Sequence, residues 1–191
     1  IYNQPFALSG EMDVKAAAFK DGKMLGKVSG KKLYGNLISG KSFTVTPPIG
    51  AAKGDIFGEN DVLGTDISTF GLTNGKRGNI ASMTPWSGFR MNDACNKLVF
   101  IVEFEQPTTV SKVVFGSLYN PASVILPPSV ATVETSSDGR KYDKMAEASF
   151  KRNYPERGRK AFTDTLGFAP KEVKYIKITL QNGGTLRNGI D

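Results

Sequence analysis

The chain has 191 residues, with 25 Lys and Arg against 18 Asp and Glu for a formal charge of +7, no histidine and one cysteine. Without imidazole it can build neither a Ser-His-Asp nor a Cys-His nucleophile pair, and it has no histidine ligand for zinc. The lone Cys95 excludes an intrachain disulfide and a CxxC redox pair, so the fold rests on its own core.

Glycine (21) and proline (10) together with 10% aromatics favour a turn-rich β protein over a helical bundle. No apolar run approaches the roughly 20 residues of a membrane helix. The opening Ile1-Tyr2-Asn3-Gln4-Pro5 has neither a basic n-region nor an apolar h-region, and we read the chain as a piece of a longer protein.

In chain order, residues 12–34 divide at Asp21-Gly22, a two-residue turn signal, into two strand-like stretches. Ala16-Ala17-Ala18 would suit a helix, but the turn cuts it after about two turns, too short to be stable alone. A hairpin is therefore expected, and one that needs a further strand or surface to be stable. Between 39 and 71 the composition shifts to Gly, Pro, Thr and Asp, with Pro47-Pro48 as the expected module boundary. Residues 97–105 alternate Leu98, Phe100, Val102 and Phe104 with a second, partly apolar face, and 110–119 follow after Gln106-Pro107. Strands at 129–136 and 141–149 flank Ser137-Asp138-Gly139-Arg140, a second hairpin signal. The last strand, 173–181, sets Ile176, Ile178 and Leu180 inward against Lys177, Thr179 and Gln181. Short strands without helical periods between them predict an all-β sandwich or jelly roll.

The motifs Leu72-Thr73-Asn74-Gly75-Lys76-Arg77-Gly78, Pro85-Trp86-Ser87-Gly88-Phe89 and Asn92-Asp93 resemble the opening of the coagulation factor 5/8 type C, or discoidin, family. The resemblance continues through Val102-Glu103-Phe104, Leu126-Pro127-Pro128-Ser129-Val130, Ser137-Asp138-Gly139-Arg140-Lys141-Tyr142 and Val173-Lys174-Tyr175-Ile176-Lys177-Ile178. It implies a galactose-binding-like jelly-roll sandwich. The front piece, Tyr2-Asn3-Gln4-Pro5-Phe6 with residues 14–23, is similar to the tail of the small β module that follows the catalytic barrel in chitobiases. The expected organisation is a module tail at 1–38, a linker at 39–48 and a factor 5/8 type C-like sandwich at 49–191. The order of the two pieces implies the C-terminal region of a bacterial family 20 β-N-acetylhexosaminidase, exported as part of a secreted, periplasmic or outer-membrane-associated protein. That class works with an adjacent Asp-Glu pair, and no Asp-Glu dipeptide occurs in the chain. This region is therefore expected to be non-catalytic.

The resemblance implies a ligand site in the loops at one end of the sandwich. A sugar asks for an aromatic face with planar polar groups around it, and the candidates are Trp86 with Arg90 and Asn92, Tyr119 with Asn120, and Tyr154. Trp86 and Phe89 read equally as core anchors, while Arg90 and Tyr154 read as exposed. Relatives that bind galactose often use a histidine, which this chain lacks. Many relatives also hold a structural calcium near 72–75; Asn74 supplies an oxygen there but no charge, and Asn74-Gly75 reads otherwise as a tight turn. No other cofactor is expected.

Residues 151–160 carry five positive charges and one negative around Tyr154, a run that reads as a solvated loop or as a surface for an anionic glycan. Nucleic acid is disfavoured because no RNP-type strand or recognition helix accompanies it. Membrane binding is disfavoured because Val124-Ile125-Leu126, the one apolar spike available, reads as a buried strand entry. The functional expectation is a carbohydrate-binding accessory module for an anionic or N-acetylated glycan, with the parent's catalytic domain as a partner. The alternative is a structural module that packs on that domain and binds no sugar.

Overall fold

The computed structural model describes residues 4, 11–34, 36–46, 62–63, 71–73, 78–81, 86, 88–89, 96–181 and 183. Its strands, in chain order, are β1 (Glu11–Lys20), β2 (Lys23–Tyr34), β3 (Phe43–Thr46), β4 (Val62–Leu63), β5 (Gly88–Phe89), β6 (Lys97–Tyr119), β7 (Val130–Ser136), β8 (Asp143–Ser149) and β9 (Lys160–Gln181). Single 3-10 turns lie at Gly71–Thr73 and Pro121–Ser123. The chain divides into two compact units, residues 1–39 and 40–191. The Pro47-Pro48 boundary lies outside the described residues. Among the described residues no helix is long and apolar enough to cross a membrane.

The first unit is the expected hairpin, β1 antiparallel to β2. Asp21 and Gly22 both take positive φ, 48° and 75°, the pair of left-handed residues whose twist matches that of the flanking strands. The register runs from Lys20↔Lys23 to Glu11↔Tyr34 and shifts once around Ala17, so the alanine run is extended. Phe19, Met24, Leu25 and Val28 all remain between 49% and 65% exposed.

The second unit is built on a five-stranded antiparallel sheet in the order β3-β6-β9-β7-β8. Period-two alternation sends Leu98, Phe100, Val102 and Phe104 of β6 to one face, where all are buried. The register sets Phe100 opposite Ile178 and Ile178 opposite Val133, with Val102, Ile176 and Thr135 as the next row. Ala131 and Val133 are fully buried at the centre, and Phe100 meets Phe43 and Phe89 edge-on at 6.5 and 5.8 Å.

The sequence divides β6 into two strands at Gln106-Pro107, whereas the structure shows one strand of 23 residues. Proline is accommodated because the β6–β9 ladder skips from Glu103 to Thr108, where a missing N–H breaks no bond. A second skip, between Val110 and Lys112, leaves Pro170 of β9 equally unpaired. From the first break onward the two strands continue as a ribbon, 108–119 against 160–173. Phe115 of the ribbon meets Phe150, just past the end of β8, at 6.0 Å, so the ribbon returns over that end of the sheet. Val110, Val113, Leu118, Leu166 and Val173 join the core from this part. The all-β sandwich class expected from the sequence is the class observed. Strand β9 begins at Lys160, thirteen residues earlier than the alternation alone indicates (173 − 160).

At the β7–β8 hairpin, Gly139 takes φ 73° and packs against the Tyr175 ring. The Asp138 carboxylate accepts from the backbone N–H of Arg140 at 2.8 Å and of Lys141 at 3.1 Å, and from Ser136 Oγ at 2.9 Å. The Arg140 bond, then the Lys141 bond, then Ser136 hold its carboxyl below the usual aspartate value of 3.8. A depressed folded-state pKa adds stability above the unfolded value, and that stability is lost as pH falls through the folded value. Asp138→Asn should therefore lower the melting temperature at pH 7 and leave it nearly unchanged at pH 2. Phe100→Ala should cost about 3–5 kcal/mol by urea denaturation, through lost burial and the cavity left between Phe43 and Phe89.

Candidate functional site

Residues 150–155 leave β8 in an extended path, and their side chains alternate. Phe150, Arg152 and Tyr154 turn toward the β6–β9 ribbon, while Lys151 and Asn153 are exposed. Arg152 meets Asp164 with both terminal nitrogens, 3.2 Å to Oδ1 and 2.6 Å to Oδ2, and one nitrogen also donates to the Pro128 carbonyl at 3.4 Å. The guanidinium lies 4.6 Å from the Phe150 ring centroid and 4.5 Å from that of Phe162. Both charged side chains are nearly enclosed, 5% and 11% exposed. Of the five cations in the basic run, Arg152 is therefore an internal anchor, which the sequence reading of a solvated loop missed.

The anchored segment places Tyr154 on Tyr119, ring centroids 4.4 Å apart and 22° from parallel, with Phe162 edge-on at 6.1 Å. Tyr119 is buried, whereas Tyr154 keeps 38% of its surface in solvent. Burial pushes the Tyr154 phenol above its ordinary pKa, with the Arg152 charge opposing. The result is an aromatic ring supported from beneath and open outward.

The neighbouring turn follows directly from Tyr119. Asn120 and Ile125 exchange backbone hydrogen bonds at 3.0 and 2.9 Å, and the Asn120 amide donates to Ser123 Oγ at 3.0 Å. Asn120 is 2% exposed, so its polar group works inside the turn and does not face solvent. Val124 at the tip has φ 56° and is 53% exposed. A β-branched residue in the left-handed region is strained. The expectation of a buried strand entry at 124–126 is thus corrected at Val124, because the turn closes through Ile125 and pushes its predecessor outward.

Trp86 is half-buried and donates its indole N–H to the Asn79 carbonyl at 2.9 Å. A Cβ on Gly78 would overlap the indole, so the ring fills the space that glycine leaves, and its outer edge reaches Gly116. The Trp86 ring is packed between two glycines and acts in holding 78–81 to β6. Arg159 donates to the Ile80 carbonyl at 3.3 Å, tying the basic segment to the same loop. Phe89 is half-buried against Phe100. Asn74, Arg90 and Asn92 lie outside the described residues, and with them the expected calcium ligand and the polar neighbours of Trp86.

Of the six candidate sugar contacts, the structure therefore brings together Tyr119, Asn120 and Tyr154, with Tyr154 as the exposed member. Two shallow depressions of about 240 and 200 Å³ lie elsewhere on the second unit. Neither has an aromatic lining residue, so a pyranose would find no stacking surface in them.

No family model and no curated protein matches the chain. Among solved structures it is similar to chitosan-binding module 1 of a chitosanase/glucanase from Paenibacillus sp., at 16% identity over 80% of this chain and 91% of that one, TM-score 0.46. It is similar to CpGH89CBM32-5 from Clostridium perfringens, in complex with GalNAc-β-1,3-galactose, at 18% identity over 46% and 56% of the two chains, TM-score 0.31. It is also similar to the C-terminal domain of a chitobiase from Bacteroides fragilis, at 17% identity over 49% and 55%, TM-score 0.31. The chain spans little more than half the length of these last two, and no ligand or site is carried over from any of them.

Removing one member of an enclosed ion pair leaves the other uncompensated. Asp164→Ala should destabilise the second unit by about 3–5 kcal/mol in urea. Pairing Asp164→Leu with Arg152→Met should lose much less, because both charges then leave together.

Proposed function

We propose that the second unit is a non-catalytic carbohydrate-binding module and that the Tyr154 ring is its sugar platform. The observation that supports this reading is the stacked pair: an exposed tyrosine held face-down on a buried one, with the chain leading into it held by the Arg152–Asp164 pair and by Lys160 at the Asn153 carbonyl. A ring fixed in this way loses little conformational freedom when an apolar sugar face settles on it. Lys160 contributes by donating to the Asn153 carbonyl at 3.2 Å while lying 5.1 Å from the Phe162 ring centroid. The absence of histidine and of an Asp-Glu pair in the sequence supports a binding role over hydrolysis.

The parent protein we infer is an exported glycoside hydrolase, and more narrowly a β-N-acetylhexosaminidase, whose catalytic domain the module would accompany to its glycan. Attachment raises the effective concentration of the enzyme on a polymer without altering its chemistry. A second reading is favoured for the first unit alone. The exposed Phe19, Met24, Leu25 and Val28 of a two-stranded hairpin support a packing role for it within a longer protein.

A glycan array with neutral and charged members tests the binding role. Tyr154→Ala should weaken any glycan found there by about tenfold or more, the scale of a central aromatic contact, while the melting temperature stays within a few degrees. A wild-type chain that binds nothing on the array overturns the reading. In a longer protein, deleting residues 49–191 should lower activity on polymeric glycan and spare soluble aryl glycosides.

A further inference from the structure

The charges of the second unit are sorted by position. Around the end of the sheet that carries Glu103 and the β7–β8 hairpin, acids and bases are interleaved: Glu103 pairs with Lys174, Asp143 with Lys171 and Glu134 with Lys177, while Arg140 and Lys141, in no ion pair among the described residues, sit beside Asp138 and Asp143. Glu105 meets Lys41 in the same way, and Glu147 meets Lys144 on the outer side of β8.

The end that carries Tyr154 is different. Lys151, Arg157, Arg159 and Lys160 are all exposed there, and none of them enters an ion pair among the described residues. Asp164, the nearby acid on β9, is consumed by Arg152 and nearly enclosed. Within residues 151–160 the sole carboxylate is Glu156. Two of the four cations are also fixed in place, Arg159 by the Ile80 carbonyl and Lys160 by the Asn153 carbonyl. Those contacts satisfy hydrogen bonds but leave both positive charges uncompensated.

From this sorting we infer that the glycan seated on Tyr154 is a polyanion, a chain of sugars bearing carboxylate or sulfate groups spaced to meet Lys151, Arg157, Arg159 and Lys160. The inference rests on the carbohydrate-binding reading of the same site and narrows its ligand class. An anionic group beside a stacked sugar ring converts a sequence of isolated cations into charge-assisted hydrogen bonds, with the arginines able to bind planar or tetrahedral oxyanions through two nitrogens. A neutral glycan would leave all four charges facing water.

The test is titration of the full chain with polygalacturonate and with chondroitin sulfate, against neutral galactan and chitin oligomers, at 50 and 300 mM NaCl. Phosphatidylserine vesicles and duplex DNA serve as polyanions without sugar polymers of this kind. At least one charged glycan should bind about tenfold more tightly than the neutral ones at low salt, the scale of two or three surface charge pairs, and the excess should collapse at high salt. Lys151→Glu with Arg157→Glu should abolish that excess. The milder Lys151→Gln with Arg157→Gln should reduce it, and melting curves of both report that the variants are folded.

Equal affinity for charged and neutral glycans would overturn the polyanion inference while leaving the carbohydrate-binding reading intact. Binding to no glycan at all would overturn both. Vesicles or DNA bound as tightly as the charged glycans would show that the surface reads charge density alone, and would also overturn the inference.

Discussion

The enclosed Arg152–Asp164 pair is the contact on which the loop end of the sandwich depends. Transferring two charges out of water costs several kcal/mol per ion, and a single attraction between them seldom repays it. Here the cost is offset by two parallel hydrogen bonds, a third to the Pro128 carbonyl, and two phenylalanine rings that flank the guanidinium. Nε finds no hydrogen-bond partner among the described residues, and an enclosed ion pair of this kind fixes geometry more than it adds stability. It ties the segment after β8 to the ribbon of β6 and β9. Everything proposed for Tyr154 follows from that tie.

The ribbon itself exists because the β6–β9 ladder is interrupted twice. Register breaks beside Pro107 and Pro170 let two long strands pass from the sheet into a returning arm, since neither proline's missing N–H then breaks a ladder bond. The same pair of strands thus supplies Phe100, Val102 and Ile176 to the core and Tyr119, Phe162 and Asp164 to the floor of the site. Core and site are consequently coupled through one pair of strands: a change in its register would move both at once.

Charge follows the same architecture. A net charge of +7 says nothing about where a partner would sit, since pairing can neutralise it locally. Among the described residues, acids are interleaved with bases around the β7–β8 hairpin, whereas Lys151, Arg157, Arg159 and Lys160 share the segment of the exposed, stacked Tyr154 with one carboxylate, Glu156. Arg159 ties that segment to residues 78–81, where Trp86 fills the space above Gly78 and reaches Gly116.

The sequence alone determines the class of this protein. Alternation at 97–105 and 173–181, two Gly-containing turn signals and the lack of helical periods are local properties, and local backbone preferences plus a period of two suffice to specify strands and hairpins. Its lack of histidine and its single cysteine also close off several chemistries before any fold is considered. What tertiary structure alone decides is which polar residues face inward. Residues 160–172 read poorly as a strand because Asp164 stands where an apolar residue would complete the pattern, and Arg152 reads as one more solvated charge for the same reason. Each makes sense only opposite the other, twelve residues apart across a turn of chain that no periodicity spans. Burial of such a pair is a property of two surfaces meeting, so no single stretch of sequence carries its signal.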